Sequence, residues 1–168
     1  MYEVHHVQMK PLIVCFSLFL SIPFTCARHD DQSAEGKEMR IEAGFACGWG
    51  SGEDSLMLES SGVKYSYYVP SSSPLPRISV SRAMTDSEWS EIEAAVDFTT
   101  FLKLDYNTCN ICVDGCDEWI TINRFEKAHS IRFTKGQQIE GISALQDIIA
   151  RYRNEFNKQI IAPGPAAL

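Results

Sequence analysis

Apolar and polar residues alternate through the first part of the chain beyond residue 39, and helical spacing then interrupts that alternation twice. Residues 40–47 alternate around Ile41, Ala43 and Phe45 and run into a glycine-rich turn at 48–52. Residues 55–59 form a second short strand. Residues 63–69 place Val63, Tyr65, Tyr67 and Val69 on one face, and Ser60-Ser61-Gly62 makes the two runs a hairpin. Three prolines and three serines at 70–76 break regular structure, and Ile78 and Val80 mark another strand at 77–83.

The period then changes. Thr85 and Glu88 are spaced as a capping box, and Trp89, Ile92 and Val96 follow at helical spacing, which predicts a helix to about Asp97. Residues 101–106 read as a short extended segment, 118–123 and 128–134 as two strands, and 125–127 as the turn between them. Ile142, Leu145, Ile148, Ile149, Tyr152 and Phe156 form the apolar stripe of a final helix, with Ser143 and Gln146 as a second capping box. Strands, a helix, short strands and a helix predict an α+β fold. Its sheet is mostly antiparallel, with two helices packed on one face and disulfides as staples.

The chain before residue 39 reads as an address. Residues 12–24 are apolar, preceded by Lys10, and too short to span a bilayer, so 1–27 is expected to be a signal peptide. Met9 is the better start, because the residues before it add an acid and two histidines that a leader does not need. Thr25-Cys26-Ala27 allows cleavage after Ala27, and Cys26 is alternatively a lipidated first residue. Residues 28–38 form a polar tether with Asp30-Asp31, residues 39–160 a single domain, and 161–168 a disordered tail. The leader, the acidic tether and the general layout resemble small exported lipoprotein-type domains of Bacteroidota. Pro23-Phe24-Thr25 departs from the Leu-small-small sequence usual before such a cysteine. The resemblance implies export with a lipid anchor at the cell envelope, and it carries over no functional residue.

Composition adds limits. Of 168 residues, 45% are hydrophobic, enough for a core, and the net charge is −7 with no basic stripe, which disfavours nucleic acid as a partner. Beyond the leader lie Cys47, Cys109, Cys112 and Cys116. In an exported domain these read first as two disulfides. Three pairings exist, and each ties Cys47 to the 109–116 loop while the other two loop cysteines close on each other. The long bridge encloses roughly 65 residues and is worth about 4 kcal/mol on the chain-entropy model.

The same residues admit rival chemistries. A four-thiolate zinc site from Cys47, Cys109, Cys112 and Cys116 lacks a second close pair and needs free thiolates. Thiol redox chemistry at Cys109-Asn110-Ile111-Cys112 has the familiar spacing, but Asp105, Asp114, Asp117 and Glu118 should raise a thiol pKa there. The loop oxygens fail the EF-hand register for calcium. A Cys112–His129 nucleophilic pair is outweighed by a structural role for a strand histidine. Trp49, Tyr65, Tyr67 and Trp119 form a candidate binding face if they cluster, against ordinary sheet packing. The reading is therefore a binding domain without a cofactor, whose partner is a protein or a small ligand, rather than an enzyme.

Overall fold

The computed structural model describes residues 39–70 and 76–161. Cys26, the leader, the tether and residues 162–168 lie outside the described residues. Six strands build one antiparallel sheet: β1 (Arg40–Cys47), β2 (Glu53–Glu59), β3 (Gly62–Tyr68), β4 (Ile78–Arg82), β5 (Cys116–Arg124) and β6 (Lys127–Thr134). Their spatial order is β4-β3-β2-β1-β5-β6. The helices are α1 (Asp86–Ala95), α2 (Phe98–Phe101) and α3 (Ser143–Ile161). The chain is thus α+β and mostly antiparallel, as its periodicity predicts.

Strand register explains which face is covered. Ile41 lies opposite both Leu58 and Ile122, and Leu56 opposite Tyr65, so the in-phase apolar positions of neighbouring strands share one side. These side chains are buried together with Ile92 of α1, Phe101 of α2, and Leu145, Ile149, Tyr152 and Phe156 of α3. The opposite side carries Glu42, Gly44, Met57, Lys64, Trp119 and Thr121. At the end of the sheet away from the cysteines, β5 turns into β6 through Phe125 and Glu126, both at positive φ (51° and 63°). That is the conformation of a two-residue hairpin turn, and aromatic and acidic residues occupy it where asparagine and glycine are preferred.

Three local expectations change. The first helix stops at Ala95, because Asp97 caps a new turn: its Oδ1 accepts from the Thr100 amide at 3.0 Å. Phe101 is therefore helical and buried, not extended. Gln146 does not serve a capping box with Ser143. Its Oε1 accepts from the Ile139 amide and its Nε2 donates to the Gln137 carbonyl, both at 2.8 Å, which ties down the loop before α3. Finally, Tyr106 and Thr108 run beside β6. The Arg132 amide donates to the Tyr106 carbonyl at 2.9 Å, and the Thr108 amide donates to the Arg132 carbonyl at 3.0 Å. This contact carries the chain from the helices back to the sheet end where β5 starts.

Candidate functional site: a tip clasped by two disulfides

Cys47 ends β1 and Cys116 begins β5, and the register sets them directly opposite, with Cα atoms 4.0 Å apart. They form one disulfide, and Cys109 and Cys112 form the other. The long bridge joins β1 to the 109–116 loop, and the remaining two loop cysteines close on each other. On the chain-entropy model the first, spanning 69 residues, contributes about 4 kcal/mol, and the second, spanning 3, about 2 kcal/mol. With these four sulfurs paired, none of the described cysteines offers a thiolate for zinc. Among the described residues, no group of three or more His, Cys, Asp or Glu side chains is arranged to hold a metal ion.

The loop is also held without its sulfurs. Asp117 is buried at the start of β5 on the side opposite the helices. Its Oδ1 accepts from Thr108 Oγ1 and Asn110 Nδ2, each at 2.7 Å, and its Oδ2 from the Ile111 amide at 3.2 Å. Desolvation pushes this carboxyl up, yet the hydrogen bonds outweigh it and hold the pKa below the ordinary value. The same bonds explain why this acid belongs to the loop's framework rather than to its exposed surface.

Two short 3-10 turns meet above this framework, Gly48–Gly50 and Asn110–Val113. The Gly48 amide donates to the Gly115 carbonyl at 2.9 Å. A Cβ on Gly48 would stand 2.8 Å from the Asp114 Cα, so only glycine allows the turns to approach so closely. On them sit the two most exposed large apolar side chains of the described residues, Trp49 at 82% and Val113 at 76% exposure. Trp49 also has φ 57°, a left-handed backbone that bulky residues rarely adopt. Asp114 beside Val113 is exposed as well.

The four aromatics considered as one face go to separate places. Tyr65 is buried under α3 and stacks on Phe156, with ring centroids 5.7 Å apart. Tyr67 lies on the same sheet side and is partly buried. Trp119 lies across the open side, over Gly44, where a Cβ would come within 2.6 Å of the indole. Beside it runs a trough of about 410 Å³, lined by Ser55, Ser66, Ser79, Met57 and Lys64. His129 is not near the cysteines: its Nε2 lies 2.8 Å from the Leu104 carbonyl and its ring meets the edge of Phe101. Trp49 alone of the four reaches the tip.

The helix-covered side of the sheet also buries a charged cluster that local periodicity does not assemble. Asp54 has a side chain with no exposure, and Arg153 Nε of α3 lies 3.1 Å from its Oδ2. Arg153 Nη1 also donates to Glu118 at 3.0 Å. Tyr65 OH donates toward Asp54 at 3.2 Å and Asn157 at 2.9 Å, and the Phe45 amide donates to Asp54 at 2.9 Å. Burial raises the Asp54 pKa more than Arg153 and these donors lower it, and burial likewise raises that of Tyr65. The signal was present: Asp54 is in phase with Leu56 and Leu58, and Glu118 with Ile120 and Ile122. An acid at a core-facing strand position implies a buried cation to meet it.

Neither a protein-family model nor a curated protein matches this chain. Disulfides form and persist in oxidising environments, and no described helix is long and apolar enough to cross a membrane.

Proposed function

We propose that this chain is an exported, non-enzymatic binding domain that grips another protein with its disulfide-clasped tip. It is either secreted or held at the cell envelope by a lipid on Cys26, in the manner of the lipoprotein-type domains it resembles. The observation that carries the reading is Trp49, a tryptophan 82% exposed at φ 57°, fixed between two disulfides. Exposing an indole forfeits burial worth about 2 kcal/mol, and a left-handed backbone costs a further ~1 kcal/mol. Such costs recur where a side chain is displayed for a partner, and rigid aromatic anchors dominate protein interfaces. The partner surface is an apolar pocket that accepts the indole and Val113, with a basic rim facing Asp114.

The test places a photo-crosslinking side chain at position 51 of the full chain, produced in its own cell. Capture of one defined protein, lost in both Trp49→Ser and Val113→Ser while their melting temperatures stay unchanged, is the expected result. A capture pattern indifferent to both substitutions would overturn the reading. The mass of the mature N-terminus distinguishes lipidated Cys26 from free cleavage. A second reading places a small extended ligand in the trough beside Trp119, favoured by the indole that Gly44 makes room for.

A further inference from the structure

We propose that Cys109–Cys112 is an exchangeable disulfide that oxidises thiols of the protein seated on the tip, while Cys47–Cys116 stays closed. The proposal rests on the binding reading of Trp49 and Val113. Four observations carry it. Cys109 and Cys112 are both exposed, whereas Cys47 and Cys116 are partly buried. Exchange requires a thiolate to reach a disulfide sulfur, so access divides the two bridges; the attacking thiolate is the partner's, so the acidic neighbours of Cys109 and Cys112 slow the departure of the leaving thiol without preventing the attack.

The exposed bridge also restrains little of the chain, since its cysteines are only 3 residues apart. The loop backbone keeps its own supports when that bridge opens. The Cys112 amide donates to the Cys109 carbonyl at 3.1 Å, the Gly115 amide to the Asn110 carbonyl at 2.8 Å, and Asp117 holds Thr108, Asn110 and Ile111. Lastly, Val113 follows Cys112 directly and Trp49 stands on the adjoining turn. A chain held on these side chains presents its own thiols to the bridge at raised effective concentration.

The chemistry balances with a partner dithiol as reductant. A partner thiolate attacks one Sγ of the pair, a mixed disulfide forms, and the Sγ–Sγ bond breaks. Its electron pair leaves on the other cysteine, which takes up a proton. The partner's second thiolate then attacks the partner sulfur of the mixed disulfide and releases the first cysteine, whose thiolate takes up the second proton. The partner loses two electrons and two protons and becomes a disulfide, and Cys109 and Cys112 become two thiols.

The oxidised full chain is treated with graded dithiothreitol, alkylated, and its labelled cysteines located by peptide mass. Cys109 and Cys112 are expected to label as a pair at about tenfold less reductant than Cys47 and Cys116, with cooperative melting retained. Opening of Cys47–Cys116 first, or of both bridges together, overturns the proposal. A second arm offers a synthetic peptide with two thiols and one aromatic side chain. One peptide disulfide per chain is expected, lost in C109S/C112S and slowed roughly fivefold in W49S, while W49S reacts with dithiothreitol at the unchanged rate. Undiminished oxidation by C109S/C112S overturns the exchange. Equal peptide rates for W49S and the unaltered chain, with C109S/C112S inert, sustain the exchange and overturn the tip as its docking surface.

Discussion

Asp54 shows how much one residue can commit a fold. It occupies a strand position whose neighbours in phase are leucines, and its carboxylate is tolerable there only because Arg153 reaches down from α3. Removing one partner of a buried pair leaves a charge without compensation, which costs about 3–5 kcal/mol. Arg153→Met should lose that much in urea unfolding, and Asp54→Leu added to it should recover most of the loss. The pH dependence has a definite sign. Burial raises the folded-state pKa of Asp54 above 3.8, so the folded chain keeps a proton that the unfolded chain has released. Stability therefore falls as pH rises from 3.8 through the raised value. Asp54→Asn should abolish that part of the pH profile, measured as melting temperature against pH.

Helix α1 is held by a motif that local spacing reveals and by one that it does not. Thr85 Oγ1 accepts from the Glu88 amide at 3.3 Å, and Glu88 Oε2 accepts from the Thr85 amide at 2.9 Å. Arg82 of β4 then donates to Glu88 at 2.7 Å and to Glu155 of α3 at 2.8 Å, so one guanidinium joins a strand and two helices. The hydrogen bond from Arg82, with the Thr85 amide behind it, pulls Glu88 from 4.5 to about 2. Its contribution is full above pH 4.5 and is lost as pH falls through about 2. Glu88→Ala should cost about 1–2 kcal/mol at neutral pH, since cap and ion pair go together, and less in acid. Urea midpoints at two pH values check it. The capping box was legible because its members lie three residues apart. The Arg82–Glu155 pair, the use of Gln146 on its loop and the run of Tyr106 to Thr108 beside β6 depend on distant elements, which no local period encodes. Helix α2 carried a local signal, Asp97 with Thr100 and Phe98 with Phe101, but four residues are too few for a period to show.

Across the whole molecule, the two disulfides gather at one end of the sheet but do different things there. The four cysteines announced that Cys47 would reach the loop, yet the choice of Cys116 rests on β5 returning beside β1 in one register, a long-range event. Trp49 could not be separated in the sequence from Tyr65 and Trp119. All are large aromatics near strands, and only the completed turns decide which is covered. The physical division between the bridges leads to a direct comparison. Cys47–Cys116 closes a loop of 69 residues and joins adjacent strands, so C47S/C116S should lose about 4 kcal/mol and melt many degrees lower. Cys109–Cys112 closes a separation of 3 around a backbone that Asp117 already holds, so C109S/C112S should lose about 2 kcal/mol or less. Adding Asp117→Ala to the second pair separates the roles further. It should deepen the loss in C109S/C112S beyond the sum of the two, because the loop then has neither clasp. A loss in C109S/C112S equal to that in C47S/C116S would show that the short bridge, and not Asp117, holds the tip.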